Sequence, residues 1–268
     1  MIPLAAVLGD PIAHSLSPRL HGYWLRKYGL QGHYIPLHLR AVDLAQTLKL
    51  LPRLGFVGAN ATLPHKQAVL RLADQVTELA RRIGSANTLI FRDGQVLADN
   101  TDAYGFTWNI VSRVPEWRPE RAVVLGAGGA SRAVVVALQD RGARQIIVTN
   151  RNRARAEVLA EEFGLSVVDW ECRHDALPGC DTLINATSLG MKGQPALDIS
   201  LASLTSGALV TDLVYTPLET PLLAQARAAG HPVVDGLGML LHQAVPGFEA
   251  WFGLRPEVDD SLRQEVLQ

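Results

Sequence analysis

The feature that most constrains the fold of this chain is a glycine-rich stretch, VVLGAGGASRA, set between an apolar run and a predicted helix. The run at Arg121–Gly126 is typical of a buried strand, and the segment Ala130–Asp140 is predicted to be helical. The turn between them carries Gly126, Gly128 and Gly129. Glycine permits a tight turn and lets a pyrophosphate approach the backbone, where a helix N-terminus offers unpaired N–H groups. The stretch therefore predicts a dinucleotide site, although Ser131 stands where the usual pattern has its third glycine.

The same alternation of strand and helix runs along the whole chain. Strands are predicted at Leu4–Gly9, Tyr34–Leu39, Phe56–Thr62, Thr88–Arg92, Gln95–Ala98, Arg121–Gly126, Gln145–Thr149, Thr182–Ala186 and Ala208–Leu213. Helices are predicted at Ser17–Tyr28, Val42–Leu54, His65–Ala73, Val76–Ile83, Ala130–Asp140, Arg153–Phe163, Leu222–Ala229, Met239–Phe252 and Val258–Leu267. Ser17 is the expected N-cap of the first helix, and Asp93–Gly94 predicts a two-residue hairpin turn. Strands separated by helices indicate an α/β fold.

Two α/β blocks meet near residue 103, which predicts two domains with a cleft between them. Residues 1–103 are expected to form an N-terminal α/β substrate domain with a mainly parallel sheet. Residues 104–236 are expected to form a Rossmann-like nucleotide-binding domain. Residues 237–268 are predicted to be C-terminal helices that pack back on the first domain, with hinges near residues 102–105 and 236–238.

Composition argues against several classes of function. A formal net charge of -1 leaves no basic surplus for binding nucleic acid. The sequence has no run of about 18 apolar residues, and its short apolar start is interpreted as a strand, so we expect neither a membrane span nor a signal peptide. The cysteines, Cys172 and Cys180, lack metal-ligand spacing, which favours a reducing, cytoplasmic location and predicts no metal site.

The end of the second strand of the nucleotide domain distinguishes NAD from NADP. An NAD site usually has Asp or Glu there to hold the ribose 2′-hydroxyl. This chain instead has Asn150 and Arg151, followed by Arg153 and Arg155. Guanidinium groups suit a 2′-phosphate, and cations at a helix N-terminus are unfavourable without an anion to bind. The segment therefore predicts NADP, with Arg151 as the main ligand and Arg155 as the next.

Polar residues cluster near predicted strand ends of the first block, where open α/β sheets bind their ligands. The clusters are Ser15 with Ser17, Asn60 with Thr62 and Lys66, Asn87 with Thr88, and Asn100 with Thr101 and Asp102. Lys66 and Asp102 are the oppositely charged pair among them. A hydride that reaches a carbonyl carbon leaves an alkoxide, to which a lysine beside a carboxylate can supply a proton. Taken alone, an exposed lysine and a turn or cap aspartate would be the commoner explanation of these two residues.

Nine stretches, in order over nearly the whole chain, resemble the shikimate dehydrogenase family. They are GDPIAHSLSPRLH, NATLPHK, IGSANTL, DNTDAYGF, VLGAGGASRA, NR at residues 150–151, NATSLGM, DLVYTPLETPLL and DGLGMLLHQA. The resemblance implies reversible reduction of 3-dehydroshikimate to shikimate with NADPH, in aromatic amino acid biosynthesis. It implies that Lys66 and Asp102 form the catalytic pair.

The resemblance also implies two sets of binding residues. The implied substrate ligands are Ser15 and Ser17 for the carboxylate, then Thr62, Lys66, Asn87, Asp102 and Gln243, with Tyr215 nearby. The implied cofactor ligands are Gly126, Gly128, Gly129 and Ala130 at the pyrophosphate, Asn150, Arg151 and Arg155 at the 2′-phosphate, and Thr187, Ser188, Met191, Leu213 and Gly236 near the ribose and nicotinamide.

Alternatives and departures accompany this resemblance. One alternative is a quinate/shikimate dehydrogenase that uses either nucleotide. Another is a non-catalytic NADP-binding regulatory module, which would be expected to lose Lys66 or Asp102, yet both are present. A homodimer is among the expected assemblies. The chain departs from the family pattern at Ala61, Ser85, Ala86, Ala103 and Asn152. Threonine is usual at position 152, in the phosphate-binding turn, and Arg153 could compensate for its replacement in binding the 2′-phosphate.

Overall fold

A computed structural model describes residues 2–268 and shows two compact α/β units. The first unit runs to Asp102 and also includes Leu241–Gln268, whereas the second comprises Ala103–Leu240. The predicted α/β class with two mainly parallel sheets is confirmed. Each sheet is covered by its own buried apolar cluster, around Leu8 and Leu89 in the first unit and around Val123 and Leu183 in the second. Burying each such side chain stabilises the fold by about 1.5–3 kcal/mol.

The first unit is built on a six-stranded sheet. Its strands are β1 (Leu4–Gly9), β2 (His33–His38), β3 (Phe56–Ala61), β4 (Gln75–Val76), β5 (Thr88–Arg92) and β6 (Gln95–Asp99). Its helices up to this point are α1 (Ser17–Lys27), α2 (Leu44–Leu50), α3 (Lys66–Leu72) and α4 (Glu78–Ile83). The strand order is β2-β1-β3-β5-β6-β4, and β5 is antiparallel to both β3 and β6. The start of β5 therefore lies at the same edge as the ends of β3 and β6.

The second unit contains a fully parallel sheet of six strands. Helix α5 (Asp102–Val111) leads into it. Its strands are β7 (Arg121–Leu125), β8 (Gln145–Thr149), β9 (Ser166–Val167), β10 (Thr182–Asn185), β11 (Leu209–Asp212) and β12 (Val233–Val234), and its helices are α6 (Gly129–Asp140), α7 (Arg153–Phe163) and α8 (Pro221–Ala228). The order β12-β11-β10-β7-β8-β9 is that of a doubly wound Rossmann sheet, whose ligands bind at the carboxyl ends of the strands.

The C-terminal helices are α9 (Leu237–Phe252) and α10 (Asp260–Leu267). The segment from Leu241 onward belongs to the first unit, where two hydrogen bonds and one ion pair hold it. The indole nitrogen of Trp251 donates to the Leu89 carbonyl at 3.0 Å, and that of Trp24 donates to the Glu257 carbonyl at 2.9 Å. Lys27 pairs with Asp259 at 2.6 Å.

Most of the predicted elements are present, and the hairpin is confirmed because Asp93 (φ 52°) and Gly94 (φ 75°) both adopt left-handed conformations. The prediction of Ser17 as N-cap is wrong, since helix α1 begins at Ser17 and Leu16 precedes it without a side-chain cap. The predicted continuous helix Val42–Leu54 is also wrong. Only Leu44–Leu50 is α-helical, because Pro52 cannot donate a helical hydrogen bond and begins a separate 3-10 turn.

Other differences arise where short elements gain order from their neighbours. Val76 was expected in a helix but ends strand β4, and Thr77 then caps helix α4 through its hydroxyl. Helix α5, strands β9 and β12, and the 3-10 segment Trp170–Ala176 were not predicted. The proposed hinge residues 102–105 lie in the first turn of α5, and their motion stays a prediction. Within residues 2–268, no helix combines the length and apolar character that a membrane crossing requires.

Candidate active site and nucleotide site

The first unit brings Lys66 and Asp102 together, as the sequence predicted. Lys66 is the first residue of α3 and Asp102 the first of α5, and their side chains form an ion pair of 2.5 Å. The Asp102 side chain is 9% exposed and that of Lys66 is 23% exposed. The carboxylate is thus largely shielded from bulk water, whereas the lysine side chain is partly exposed.

Asn87 is the centre of the hydrogen bonds around this pair. It immediately precedes β5 and is buried, and its side-chain nitrogen donates to Asp102 Oδ1 at 2.8 Å and to Gln243 Oε1 at 3.1 Å. Its side-chain oxygen accepts the backbone N–H of Thr101 at 2.8 Å, which fixes the orientation of the amide. Four predicted substrate ligands, Lys66, Asn87, Asp102 and Gln243, therefore form one connected group.

Two residues outside the predicted ligand sets hold this group in place. Asn60, on β3, donates to the Asn87 carbonyl at 3.0 Å, and the Tyr34 hydroxyl donates to Asn60 at 2.6 Å. Burial raises the pKa of the Tyr34 phenol, so it remains a neutral donor. The motif that contains Asn60 was visible in the sequence, but no local pattern connected it with Tyr34, which lies 26 positions away.

The remaining predicted substrate ligands of the first unit follow strands at the same sheet edge. Ser15 lies between β1 and α1, and Ser17 is the first residue of α1, with its N–H 3.4 Å from the Ser15 hydroxyl. Thr62 directly follows β3, and its N–H donates to the Leu8 carbonyl at 2.9 Å. Tyr215 is not part of this group, because it belongs to the second unit and follows β11. Burial raises the pKa of its phenol.

The glycine-rich turn of the second unit contains one glycine that the fold requires and two that it does not. Gly126 has φ +109°, and a Cβ there would lie 2.9 Å from the Ala186 carbonyl oxygen. Gly128 and Gly129 have open space on the side where a Cβ would stand. Ser131, in the third glycine position, is buried and its hydroxyl accepts the Gly128 N–H at 3.1 Å. Serine thus replaces glycine here by stabilising the turn.

The residues after β8 form the expected arginine-rich turn. The Asn150 side chain accepts the Ala127 N–H at 3.1 Å and so ties this turn to the glycine-rich one. Asn152, the departure from the family pattern, caps helix α7 by accepting the Arg155 N–H. Arg153 pairs with Asp169 and Glu157, and these pairs raise the pKa of its guanidinium group. Arg153 could therefore compensate for Asn152 in binding a 2′-phosphate only if these pairs break. Arg151 and Arg155 are exposed.

The other predicted cofactor residues follow the remaining parallel strands. Thr187, Ser188 and Met191 come after β10, Leu213 after β11 and Gly236 after β12. A Cβ at Gly236 would lie 2.3 Å from the Leu213 carbonyl oxygen, so this close approach requires glycine. Because the strands are parallel, the segments that carry the predicted cofactor residues all begin at the carboxyl edge of the sheet.

These residues fit a dinucleotide phosphate. The first N–H groups of the 12-residue helix α6 have no partner within the helix, and the open space at Gly128 and Gly129 lets a pyrophosphate reach them. The exposed guanidinium groups of Arg151 and Arg155 suit a further phosphate monoester. A Rossmann sheet with these turns and a unit holding a shielded Lys–Asp pair together define a nucleotide-dependent oxidoreductase.

Comparison with known proteins identifies the family. Residues 7–89 match the family described as shikimate dehydrogenase substrate binding domain, residues 110–191 match shikimate / quinate 5-dehydrogenase, and residues 236–260 match shikimate 5′-dehydrogenase C-terminal domain. The chain is 57% identical, over 99% of its length and 96% of the relative's, to the shikimate dehydrogenase (NADP(+)) of Paracoccus denitrificans. The chain therefore belongs to the shikimate dehydrogenase family.

Solved structures agree with this placement. Shikimate 5-dehydrogenase from Thermus thermophilus, crystallised with NADP(H) and shikimate, superposes with a TM-score of 0.88 at 39% identity, covering 100% of this chain and 99% of that one. Quinate dehydrogenase from Corynebacterium glutamicum, crystallised with NAD, gives a TM-score of 0.92 at 34% identity, covering 98% of each chain.

Proposed function

We propose that this chain catalyses the reversible, NADPH-dependent reduction of 3-dehydroshikimate to shikimate, a step of aromatic amino acid biosynthesis. The observation that carries the proposal is the shielded Lys66–Asp102 ion pair of 2.5 Å, held by Asn87, in a chain 57% identical to a shikimate dehydrogenase (NADP(+)). The non-catalytic alternative is disfavoured because both members of the pair are present and in contact.

Lys66 is the proton donor in this mechanism. When bound by the second unit, NADPH would supply the hydride that reduces the carbonyl carbon of the substrate. The ammonium group of Lys66 donates a proton to the oxygen on which negative charge develops, which yields the alcohol, and the neutral amine then regains a proton from solvent. In the oxidation direction the neutral amine accepts the hydroxyl proton. The Lys66 side chain is 23% exposed, and in this proposal a substrate hydroxyl or carbonyl reaches its ammonium group.

The surrounding side chains orient the substrate. Asp102 fixes the Lys66 ammonium and presents a carboxylate to ring hydroxyls, and Asn87, Gln243 and Thr62 supply further polar contacts. Ser15 and Ser17 bind the substrate carboxylate through hydroxyl and N–H donors, and Tyr215 adds a phenolic donor. Buried polar groups of this kind discriminate strongly, since a substrate that lacks a matching hydroxyl leaves them unpaired.

The second unit holds NADP. Gly126 shapes the turn, and the backbone from Gly128 to Ala130 binds the pyrophosphate. Arg151 and Arg155, with Asn150, bind the adenosine 2′-phosphate. Thr187, Ser188, Met191, Leu213 and Gly236 surround the ribose and nicotinamide.

An assay with two acids and two nucleotides tests the proposal. Formation of reduced nicotinamide is followed by its absorbance, with shikimate or quinate and with NADP or NAD. We expect the highest kcat/KM with shikimate and NADP. The structural likeness to an NAD-bound quinate dehydrogenase makes quinate with NAD the second candidate. If no combination gives turnover while NADP binds, the chain is a binding module and the proposed enzyme activity is wrong.

The proposed partners are small molecules, with no nucleic acid and no membrane, and the proposed location is the cytoplasm. A homodimer is the proposed assembly, and light scattering of the purified chain measures it. A mass equal to that of one chain at micromolar concentration would reject the dimer.

A further inference from the structure

Two buried polar residues end neighbouring strands of the second unit without belonging to either predicted ligand set. Asn185 is the last residue of β10 and Asp212 the last of β11, they are paired in the sheet register, and both are 0% exposed. Their side chains contact each other, with Asn185 Nδ2 donating to Asp212 Oδ1 at 2.9 Å. Two fully buried polar residues at the ligand-binding edge of a Rossmann sheet are costly unless they are fully hydrogen-bonded.

Asp212 fastens the loop after β11. Its Oδ1 atom accepts the N–H of Val214 at 2.9 Å, and its Oδ2 atom accepts the hydroxyl of Thr220 at 2.7 Å. Thr220 is the N-cap of helix α8. The carboxylate therefore fixes both ends of the segment between β11 and α8, whose first residue is Leu213.

Asn185 fastens the loop after β10 in the same way. Its side-chain oxygen accepts the N–H of Thr187 at 3.0 Å and the Thr187 hydroxyl at 2.7 Å. Its side-chain nitrogen donates to the Leu189 carbonyl at 3.0 Å as well as to Asp212. Because Asn185 is hydrogen-bonded to the residues on both sides of Ser188, its side-chain amide fixes the start of the loop after β10.

We propose that Asn185 and Asp212 are positioning residues that lock the loops after β10 and β11 into one cofactor-binding arrangement. The inference rests on the proposed function, because Thr187, Ser188 and Leu213 bind NADP only in that proposal. The two side chains act as a unit, since the Asn185–Asp212 bond joins one loop to the other. Their loss is expected to weaken NADP binding while the substrate ligands of the first unit keep their positions.

The hydrogen-bond pattern at position 212 fits a carboxylate. A carboxylate accepts on both oxygens, and all of its contacts here come from donors. Burial raises the pKa of Asp212, an effect opposed by the donors Thr220, Val214 and Asn185. An amide could keep the same geometry, because its oxygen can take the place of Oδ1 and the Thr220 hydroxyl can turn to accept from its nitrogen. An alanine would remove every contact.

The test compares NADP⁺ dissociation constants, measured by isothermal titration calorimetry on the full chain. Asp212→Ala and Asn185→Ala are expected to bind NADP⁺ about tenfold or more weakly, corresponding to about 1.4 kcal/mol, whereas Asp212→Asn binds nearly as wild type does. The KM for shikimate at saturating NADP⁺ is expected to be unchanged in Asn185→Ala and Asp212→Asn, and to rise in Asp212→Ala, because the loop that Asp212 fastens carries Tyr215.

Thr182→Val is the matched control. Thr182 is also buried, lies at the opposite end of β10 and accepts the Trp117 indole N–H at 3.1 Å. This variant is expected to melt at a lower temperature and to bind NADP⁺ normally, which separates loss of stability from loss of positioning.

The outcomes distinguish the inference from the proposed function. If Asp212→Ala and Asn185→Ala melt earlier but bind NADP⁺ as Thr182→Val does, the residues are purely structural and the inference is overturned. If Asp212→Asn binds as weakly as Asp212→Ala, hydrogen-bond positioning is also overturned. If Asp212→Ala does not fold, Asn185→Ala and Thr220→Val decide by the same comparison. Failure of the wild-type chain to bind NADP⁺ would instead refute the proposed function.

Discussion

The side-chain amide of Asn87 and the ammonium group of Lys66 bind different oxygens of Asp102. Asn87 Nδ2 lies 2.8 Å from Oδ1, and Lys66 Nζ lies 2.5 Å from Oδ2. Asn87 is itself held by the Thr101 N–H, so the orientation of the carboxylate is set from the protein side. The ammonium group is thereby directed by a fixed anion, as a proton donor requires.

Replacement of the lysine is the most direct prediction from this arrangement. Lys66→Met keeps the aliphatic stem but removes the proton donor, so we expect kcat to fall by about 10²–10⁴-fold, the usual contribution of a general acid or base. Binding of NADP⁺ should be unchanged. Steady-state kinetics and calorimetry measure the two effects. Lys49→Met, at an exposed position of α2, is the control and should retain full activity. Normal turnover by the Lys66 variant would remove the proposed mechanism.

The two kinds of glycine in the nucleotide turn should respond in opposite ways. Gly129→Ala adds a methyl group in open space at the first position of helix α6, where alanine favours helix by up to about 1 kcal/mol. We expect unfolding stability to be maintained or raised while the KM for NADP increases about tenfold.

Gly126→Ala provides the contrast to that variant. Its φ of +109° and the 2.9 Å approach to the Ala186 oxygen strain any side chain, so unfolding should become easier by about 1–3 kcal/mol. Thermal melts and NADP titrations of both variants are compared. Unaltered NADP affinity in Gly129→Ala would show that no pyrophosphate uses this turn.

Arg151 and Arg153 should differ in their effect on nucleotide choice. Arg151→Ala removes a charge-assisted hydrogen bond to the 2′-phosphate, worth about 1.5–3 kcal/mol, so the KM for NADP should rise roughly 10–100-fold with little change for NAD. Arg153→Ala is the matched control, because Arg153 is already paired with Glu157 and Asp169. Kinetics with each nucleotide measure the ratio. Equal effects on NADP and NAD would contradict a 2′-phosphate contact at Arg151.

His21 should make the first unit sensitive to acid. Its ring is 0% exposed, stacks on Tyr34 at 4.0 Å, and has no hydrogen-bond partner for either nitrogen among residues 2–268. Burial lowers its pKa from 6.5 to about 3. Because the folded state keeps the ring neutral, its contribution to stability is present above the unfolded pKa of 6.5 and is lost as pH falls toward 3.

The expected size of the effect follows from the same shift. Between pH 7 and pH 5 the free energy of unfolding should fall by about 2 kcal/mol more in the wild type than in His21→Phe, which keeps the aromatic stacking without a titrating group. Urea unfolding at the two pH values measures this difference. Equal pH dependence in both proteins would mean that His21 is hydrated or already paired.

The sequence predicted the structure best where a local backbone conformation requires one particular residue type. The glycine-rich turn predicted a strand, a sharp turn and a helix, and β7 and α6 are where it placed them. The Asp93–Gly94 hairpin was equally local. The prediction for Val76 failed because a neighbouring strand decides its structure, and it pairs with β6 instead of entering the following helix. Two-residue strands such as β9 and β12 have too short a pattern to be read without their partners.

The sequence by itself determined the α/β class, because turn chemistry and hydrophobic periodicity are local properties. The two candidate ligand sets and the catalytic pairing of Lys66 with Asp102 were implied by the resemblance of the sequence to a known family. Only the tertiary structure decided which residues hold those sets in place. Strand pairing brings together the residues that hold these sets, which are Tyr34, Asn60, Asn185 and Asp212. Asp212, for example, is hydrogen-bonded to Asn185, which is 27 positions away in the sequence. Contacts over such distances depend on strand order and register, which no single segment of the chain encodes.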